Sequence, residues 1–264
     1  MYGKEIRMRH LCDCNSGKMI FVPMDHGATM GPIKGIEKIE ETIKLLDPYH
    51  VNGIILCKGH LLNRNLLNSC NIPYILHLSN SIQIAQSPDY KILVGSVEQA
   101  IMLGAEAVSV QVNIGAINDT VMIRDFARIS EACTRWGIPL LAMMYFRPNG
   151  GSGDKTVIKT IARFAQEMGA DIVNVEYTGN IETFSEVVQG CSIPVIISGG
   201  EKDSPQRILQ NAYEAIKCGA AGVAYGRNIF QAVNPQVLTY ALSLIVHKGM
   251  EVNEVLEKIN EIDE

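Results

Sequence analysis

Met168-Gly169-Ala170-Asp171-Ile172-Val173 is one of three versions of a single phrase in this chain. The others are Met102-Leu103-Gly104-Ala105-Glu106-Ala107-Val108 and Cys218-Gly219-Ala220-Ala221-Gly222-Val223. In each, a glycine follows an amphipathic stretch and an apolar run begins at once. Glycine suits the left-handed residue that stops a helix, so each phrase reads as a helix-to-strand joint. Working outward from the joints, short apolar runs fall at 19–24, 53–57, 74–78, 107–112, 139–144, 171–175, 194–198 and 222–225. They alternate with helical patterns, among them 96–103, 120–136, 156–168 and 204–218. Eight strands separated by helices predict an α/β fold, a closed (β/α)8 TIM barrel in a single domain. The barrel spans 19–248, after an N-terminal extension at 1–18. The tail at 249–264 spaces Val252, Val255, Leu256 and Ile259 as a helix packed outside the barrel.

Composition narrows the function classes. A length of 264 residues suits one barrel, and 47% hydrophobic content is enough for a large core. The net charge of −5, without a basic run, disfavours nucleic acid as a partner, so an anionic substrate must be held by local groups. Met1–His10 is polar and mixed in charge, unlike a secretory leader, and no apolar run approaches the roughly 20 residues that span a membrane. Seven cysteines, with Cys57, Cys133, Cys191 and Cys218 in apolar stretches, suit buried thiols in a reducing cytoplasm. Cys12 and Cys14 form a lone C-x-C with no second pair at zinc spacing.

Barrels place their chemistry at the C-terminal strand ends. Strand side chains alternate between barrel interior and helix layer. Val173 and Val175 suit the helix side, which turns Ile172, Asn174 and Glu176 inward. Val108, Val110 and Val112 likewise leave Ser109, Gln111 and Asn113 inside. The same reading puts Asp25, Lys58 and Tyr145 at the ends of the first, second and fifth strands. Asp25, Lys58, Asn113, Tyr145, Asn174 and Glu176 are thus expected around one cavity. A satisfied interior hydrogen-bond network is the alternative reading of such polar layers. Ser198-Gly199-Gly200 ends the seventh strand, and Gly226-Arg227 follows the eighth at the start of a short helix. Glycines admit an anion to backbone N–H groups, and an arginine adds a charged fork, so these two segments are expected to hold phosphate.

Several motifs carry a family resemblance. They are Val22-Pro23-Met24-Asp25-His26-Gly27 with Gly31-Pro32-Ile33-Lys34-Gly35, His77-Leu78-Ser79, Ala142-Met143-Met144-Tyr145, Tyr177-Thr178-Gly179 and Gly226-Arg227-Asn228-Ile229-Phe230-Gln231. The chain resembles the archaeal-type class I aldolases, both fructose-bisphosphate aldolases and 2-amino-3,7-dideoxy-D-threo-hept-6-ulosonate synthases, over most of 20–248. The resemblance implies a carbon–carbon lyase or synthase acting on a phosphorylated ketose or keto acid, without a cofactor, as a homo-oligomer. It implies that Asp25 and Tyr145 move protons, and that His26, His77 and Asn113 contact substrate. It also implies a lysine on the sixth strand that forms a Schiff base with the ketose. Asn174 occupies that position, and asparagine cannot form an imine.

Four readings of this departure stand side by side. Lys58 supplies the amine instead. A divalent metal, held by some of Asp25, His26, His60, His77 and Glu176, serves as electron sink. Glu176 or Asp25 as base and Tyr145 as acid work without a covalent intermediate, Asn174 donating to an enolate. Or the barrel binds a sugar phosphate without turnover. The stretch Phe146-Arg147-Pro148-Asn149-Gly150-Gly151-Ser152-Gly153 is glycine-rich and expected to be mobile.

Overall fold

The computed structural model describes residues 2–47, 50–63, 66, 71–148 and 155–263. Most of the glycine-rich stretch, 149–153, lies outside the described residues. The expected strands form as β1 (Met19–Pro23), β2 (Gly53–Leu56), β3 (Tyr74–His77), β4 (Ala107–Ile114), β5 (Leu140–Phe146), β6 (Ile172–Glu176), β7 (Val195–Ser198) and β8 (Gly222–Ala224). They close into a parallel barrel, with β1 paired to both β2 and β8. The helix-to-strand joints behave as read: Gly104, Gly169 and Gly219 have φ of 76°, 89° and 92°, in the left-handed region.

Helices Val97–Met102, Asp119–Trp136, Ile158–Glu167 and Pro205–Lys217 match the sequence patterns to within two residues at each end. Side-chain caps fix several starts. Ser96 accepts from the Gln99 N–H, Asn180 from those of Glu182 and Thr183, and Ser204 from that of Arg207, with Pro205 as the first helical residue. The alternation of side chains is also as read. Val108, Val110, Val112, Val173 and Val175 pack in the helix layer. Met19, Phe21, Ile55, Ile75, Leu141, Met143, Ile172 and Ile196 fill the barrel interior.

The N-terminal segment has a role that its polar sequence did not announce. Helix Tyr2–His10 lies across the bottom of the barrel, and Leu11, 0% exposed, joins the interior cluster as a plug. Lys4 pairs with Asp171 at 2.8 Å and Arg7 with Glu106 at 3.3 Å, tying the helix to residues that open β6 and β4. Helix Val252–Asp263 packs on Pro205–Lys217 and on Pro235–Val246. Among the described residues no helix is long and apolar enough to cross a membrane. Of the four cysteines expected to be buried only Cys133 is fully so; Cys57, Cys191 and Cys218 stay partly accessible because their strand and helix ends open to the surface.

The top of the barrel carries an addition between β3 and helix Val97–Met102. A two-stranded antiparallel ribbon, Ser79–Asn80 against Ile92–Leu93, folds over the mouth. It brings Lys91 to the rim of the barrel.

Candidate active site

A cavity of about 210 Å³ opens at the C-terminal ends of the strands. One wall is the anion cradle read from the sequence: Ser198, Gly199, Gly200, Gly226 and Arg227 all line it. Gly199 and Gly226 are required by close packing, and Gly200 by its φ of 65°. A Cβ on Gly226 would stand 2.6 Å from the Pro23 carbonyl oxygen and from the His26 ring, and one on Gly199 2.8 Å from Asn228 Nδ2. Asn228 ties the cradle together, donating to the Gly199 carbonyl at 2.8 Å and accepting from the Asp203 N–H at 2.9 Å. Arg227 donates to the Gly200 carbonyl at 3.0 Å, while its Nε is buried and unpaired. Helix Arg227–Phe230 is a single turn, so its free N–H groups, rather than an extended dipole, are what it offers an anion.

Asp25 and Tyr145 face the same cavity. Asp25 follows β1, its side chain 15% exposed, with His26 Nδ1 and His77 Nε2 each 3.8 Å from its carboxylate oxygens. Burial works against its ionisation, but His77, His26 and Lys91 outweigh burial and hold the carboxyl below its usual range. Burial pushes both imidazoles down despite Asp25. Burial, and then the carboxylates of Asp25 and Glu176, push the Tyr145 hydroxyl up to about 12. The pair is therefore a base kept ionised beside an acid kept protonated. Among the described residues, buried polar atoms without a hydrogen-bond partner include Asp25 Oδ1, His26 Nδ1 and Arg227 Nε on this one cavity, and others at Asn174 and His247 away from its lining. Such atoms are rare in folded proteins and mark where a polar ligand completes the site.

Other residues named from the sequence lie elsewhere or are already engaged. Lys58 is exposed, its ammonium on the Val94 carbonyl, and it does not line the cavity. Its position opens the short helix Lys58–Leu61, which turns the side chain outward from the barrel. Asn113 is buried and engaged on both sides of its amide: it donates to the Asp89 carbonyl at 2.7 Å and accepts from Gln111 at 2.9 Å. It holds the loop before Lys91 and does not line the cavity. His77, 2% exposed and bonded to Ser109 Oγ at 2.8 Å, orients Asp25 from beneath rather than lining the cavity. His26 does line it, edge-on to Phe230. Asn174 is 0% exposed and beneath the cavity floor, and neither of its amide atoms has a partner.

Glu176 lines the cavity, but Arg147 holds it in a forked pair, Nη2–Oε1 3.0 Å and Nη1–Oε2 3.3 Å. Each of its oxygens thus has the guanidinium as a partner, in bidentate geometry. Arg147 also lies over the Tyr145 ring, 5.1 Å from its centroid. Of the residues considered for a metal, His26 and His77 flank Asp25, whereas His60 sits apart, near Glu40, and Glu176 is paired with Arg147. Among the described residues no three His, Cys, Asp or Glu side chains are placed to share a metal ion.

Lys91 and Arg147 were missed as site residues. Arg147 had a signal, since it follows Tyr145 at the inward spacing of a strand. Lys91 sits in a long connection, where a single sequence gives no hint of which side chain turns inward.

Comparison with known proteins decides the family. Residues 19–232 match the model of the DeoC/LacD family aldolases. The chain belongs to that family. It is 42% identical, over 97% of its length and 96% of the relative's, to 2-amino-3,7-dideoxy-D-threo-hept-6-ulosonate synthase 1 of Archaeoglobus fulgidus. It is 37% identical, over 94% of its length and 92% of the relative's, to 2-amino-4,5-dihydroxy-6-oxo-7-(phosphonooxy)heptanoate synthase of Streptomyces griseus. Its fold superposes with a TM-score of 0.83, at 26% identity, on an archaeal fructose-1,6-bisphosphate aldolase solved with its catalytic Lys covalently bound to the carbinolamine intermediate. That match covers 93% of this chain and 99% of that one. This aldolase-family enzyme is thus a carbon–carbon lyase or synthase.

Proposed function

We propose that the enzyme makes or breaks a carbon–carbon bond beside the carbonyl of a phosphorylated keto compound. The phosphate is held by Ser198, Gly199, Gly200, Gly226 and Arg227. Asp25 takes the proton of the hydroxyl that becomes the aldehyde, and returns it in the direction of synthesis. Tyr145 supplies and recovers the proton of the carbonyl oxygen. The observation that carries this reading is an ionised Asp25 and a protonated Tyr145 on the same cavity as a glycine-lined wall where Arg227 Nε has no partner. A barrel that only bound sugar phosphate would have no use for such a couple.

Arg147 and Glu176 supply charges of both signs on the same cavity. They suit a reaction partner or product with an amino and a carboxylate group. The product in the name of the Streptomyces griseus relative has both, with a phosphate at the far end. Incubation with dihydroxyacetone phosphate in deuterated water tests the reading. Exchange of the hydrogen beside the carbonyl is expected, and should need much more of the ester in Arg227→Ala. Tight binding of the ester with no exchange, and no bond formation with any aldehyde, would leave only a binding protein.

A further inference from the structure

We propose that Lys91 is the amine that forms the imine with the keto substrate, in place of a lysine on β6. The proposal rests on the aldol reading given above and deepens it by naming the electron sink. Among the described residues Lys91 is the one lysine that lines the cavity, and it shares that cavity with Asp25 and Tyr145. The solved aldolase relative works through a catalytic Lys, whereas β6 here carries Asn174, walled off below the floor and ending at the δ position where a lysine would reach on to ζ. The cavity has kept an acid, a base and an anion cradle, and the amine has come to it from the ribbon over the mouth.

The placement of Lys91 is built rather than incidental. It is 8% exposed. Its Nζ donates to Ser81 Oγ at 2.6 Å, and that hydroxyl donates to the Pro88 carbonyl at 2.6 Å. Asn113 holds the Asp89 carbonyl, and the Lys91 N–H reaches Met122 Sδ at 3.3 Å. The ammonium is thus aimed by the ribbon on one side and β4 on the other. Burial outweighs the attraction of Asp25 and Asp89 and holds Lys91 below the ordinary lysine range, which raises the free-amine fraction near neutrality. Lys58 lies outside the cavity and lacks this setting.

The step balances without an added co-reactant. Neutral Lys91 Nζ adds to the ketone carbon, and the former carbonyl oxygen gains two protons, one from the amine and one from Tyr145, and leaves as water. The nitrogen keeps its second hydrogen, so the C=N bond forms directly as the iminium, its charge balanced by the Tyr145 phenolate. When the neighbouring carbon–carbon bond breaks, its electron pair enters the iminium to give an enamine, while Asp25 takes the proton of the hydroxyl that becomes an aldehyde. Protonation of the enamine carbon and return of one water release the ketone and restore the amine.

Borohydride trapping tests this on the full chain. The wild type is incubated with dihydroxyacetone phosphate, reduced, and mapped by peptide mass. Deuterium exchange into the ester is followed in parallel. The expected result is one reduced adduct, on Lys91. Lys91→Met and Lys91→Arg should lose both adduct and exchange, by roughly a thousandfold or more, while retaining the melting temperature and most of the affinity for the ester. An adduct on any other lysine overturns the assignment, as does an adduct that survives in Lys91→Arg. Exchange in the wild type without an adduct on Lys91 removes Lys91 and leaves the aldol reading standing. Binding with neither exchange nor adduct removes both. The labelling result comes from the wild type, so poor folding of a variant does not obscure it.

Discussion

The two ends of the barrel use the same residue types to opposite effect. At the bottom, Asp171 opens β6, is paired with Lys4 at 2.8 Å and accepts the Leu140 N–H at 2.8 Å. At the top, Asp25 follows β1 with one carboxylate oxygen unpaired, two imidazoles at 3.8 Å, and a lysine whose ammonium is partly suppressed. The bottom carboxylate has its partners already and secures the N-terminal helix across the barrel floor. The top one is left short of partners, as a group that must act on a ligand is. One face of the barrel holds the fold together, and the other keeps its polar groups in reserve.

The largest effects that sharpen this contrast are on turnover. Asp25→Asn should lower kcat by about a thousandfold, and Tyr145→Phe by about a hundredfold, each with KM little changed. Steady-state kinetics on bond cleavage or formation checks both, and an unchanged kcat in Tyr145→Phe would remove the proton role given to it. Arg227→Ala should act on binding, raising KM by roughly tenfold to a hundredfold with kcat nearly kept.

At the bottom the pattern should invert. Asp171→Ala is expected to cost about 1–2 kcal/mol and lower the melting temperature by roughly 2–8 °C at unchanged kcat. A loss of activity larger than the loss of folded protein would break the contrast. Asn174→Leu is smaller still and opposite in sign. Removing two unpaired buried polar atoms at similar volume should raise stability by about 1 kcal/mol, visible as a melting temperature a few degrees higher.

Acid stability offers a last check on the top face. His26 and His77 are pushed below 6.5 in the folded chain, so the unfolded chain takes up protons first as pH falls. Stability is full above pH 6.5 and declines as the pH falls through the folded values. Asp25, held below 3.8, adds a second loss in the same direction under stronger acid. Thermal melts between pH 7 and 5 should show the decline, and His77→Gln should flatten it.

Much of this protein was legible in one sequence. The joints at Gly104, Gly169 and Gly219 located three strands, because a left-handed residue after an amphipathic helix leaves few alternatives to a strand start. Alternation on β4 and β6 gave the inward residues, since a parallel barrel strand has only two faces. Strand ends also placed Ser198–Gly200, Gly226–Arg227, Asp25 and Tyr145 around one cavity, where the structure has them, whereas the pairing of Asp25 with Tyr145 in proton transfer came from the family resemblance. Lys58 was misplaced by the same logic: it follows β2, but alternation ends with the strand, and the next residues turn into a helix facing solvent. Asn113 and His77 point inward as read, yet both are bonded to neighbours and neither lines the cavity.

By itself, then, the sequence determined the barrel, the inward faces of its strands and the residues that crowd its upper rim, because these depend on periodicity and on residues at fixed offsets. Only the tertiary structure decided which polar groups remain free to meet a ligand. It drew Lys91 in from a ribbon between β3 and the next helix, joined Arg147 to Glu176, and sealed Asn174 beneath the floor. Those outcomes depend on loop paths and on competition among hydrogen-bond partners, and neither is set by spacing along the chain.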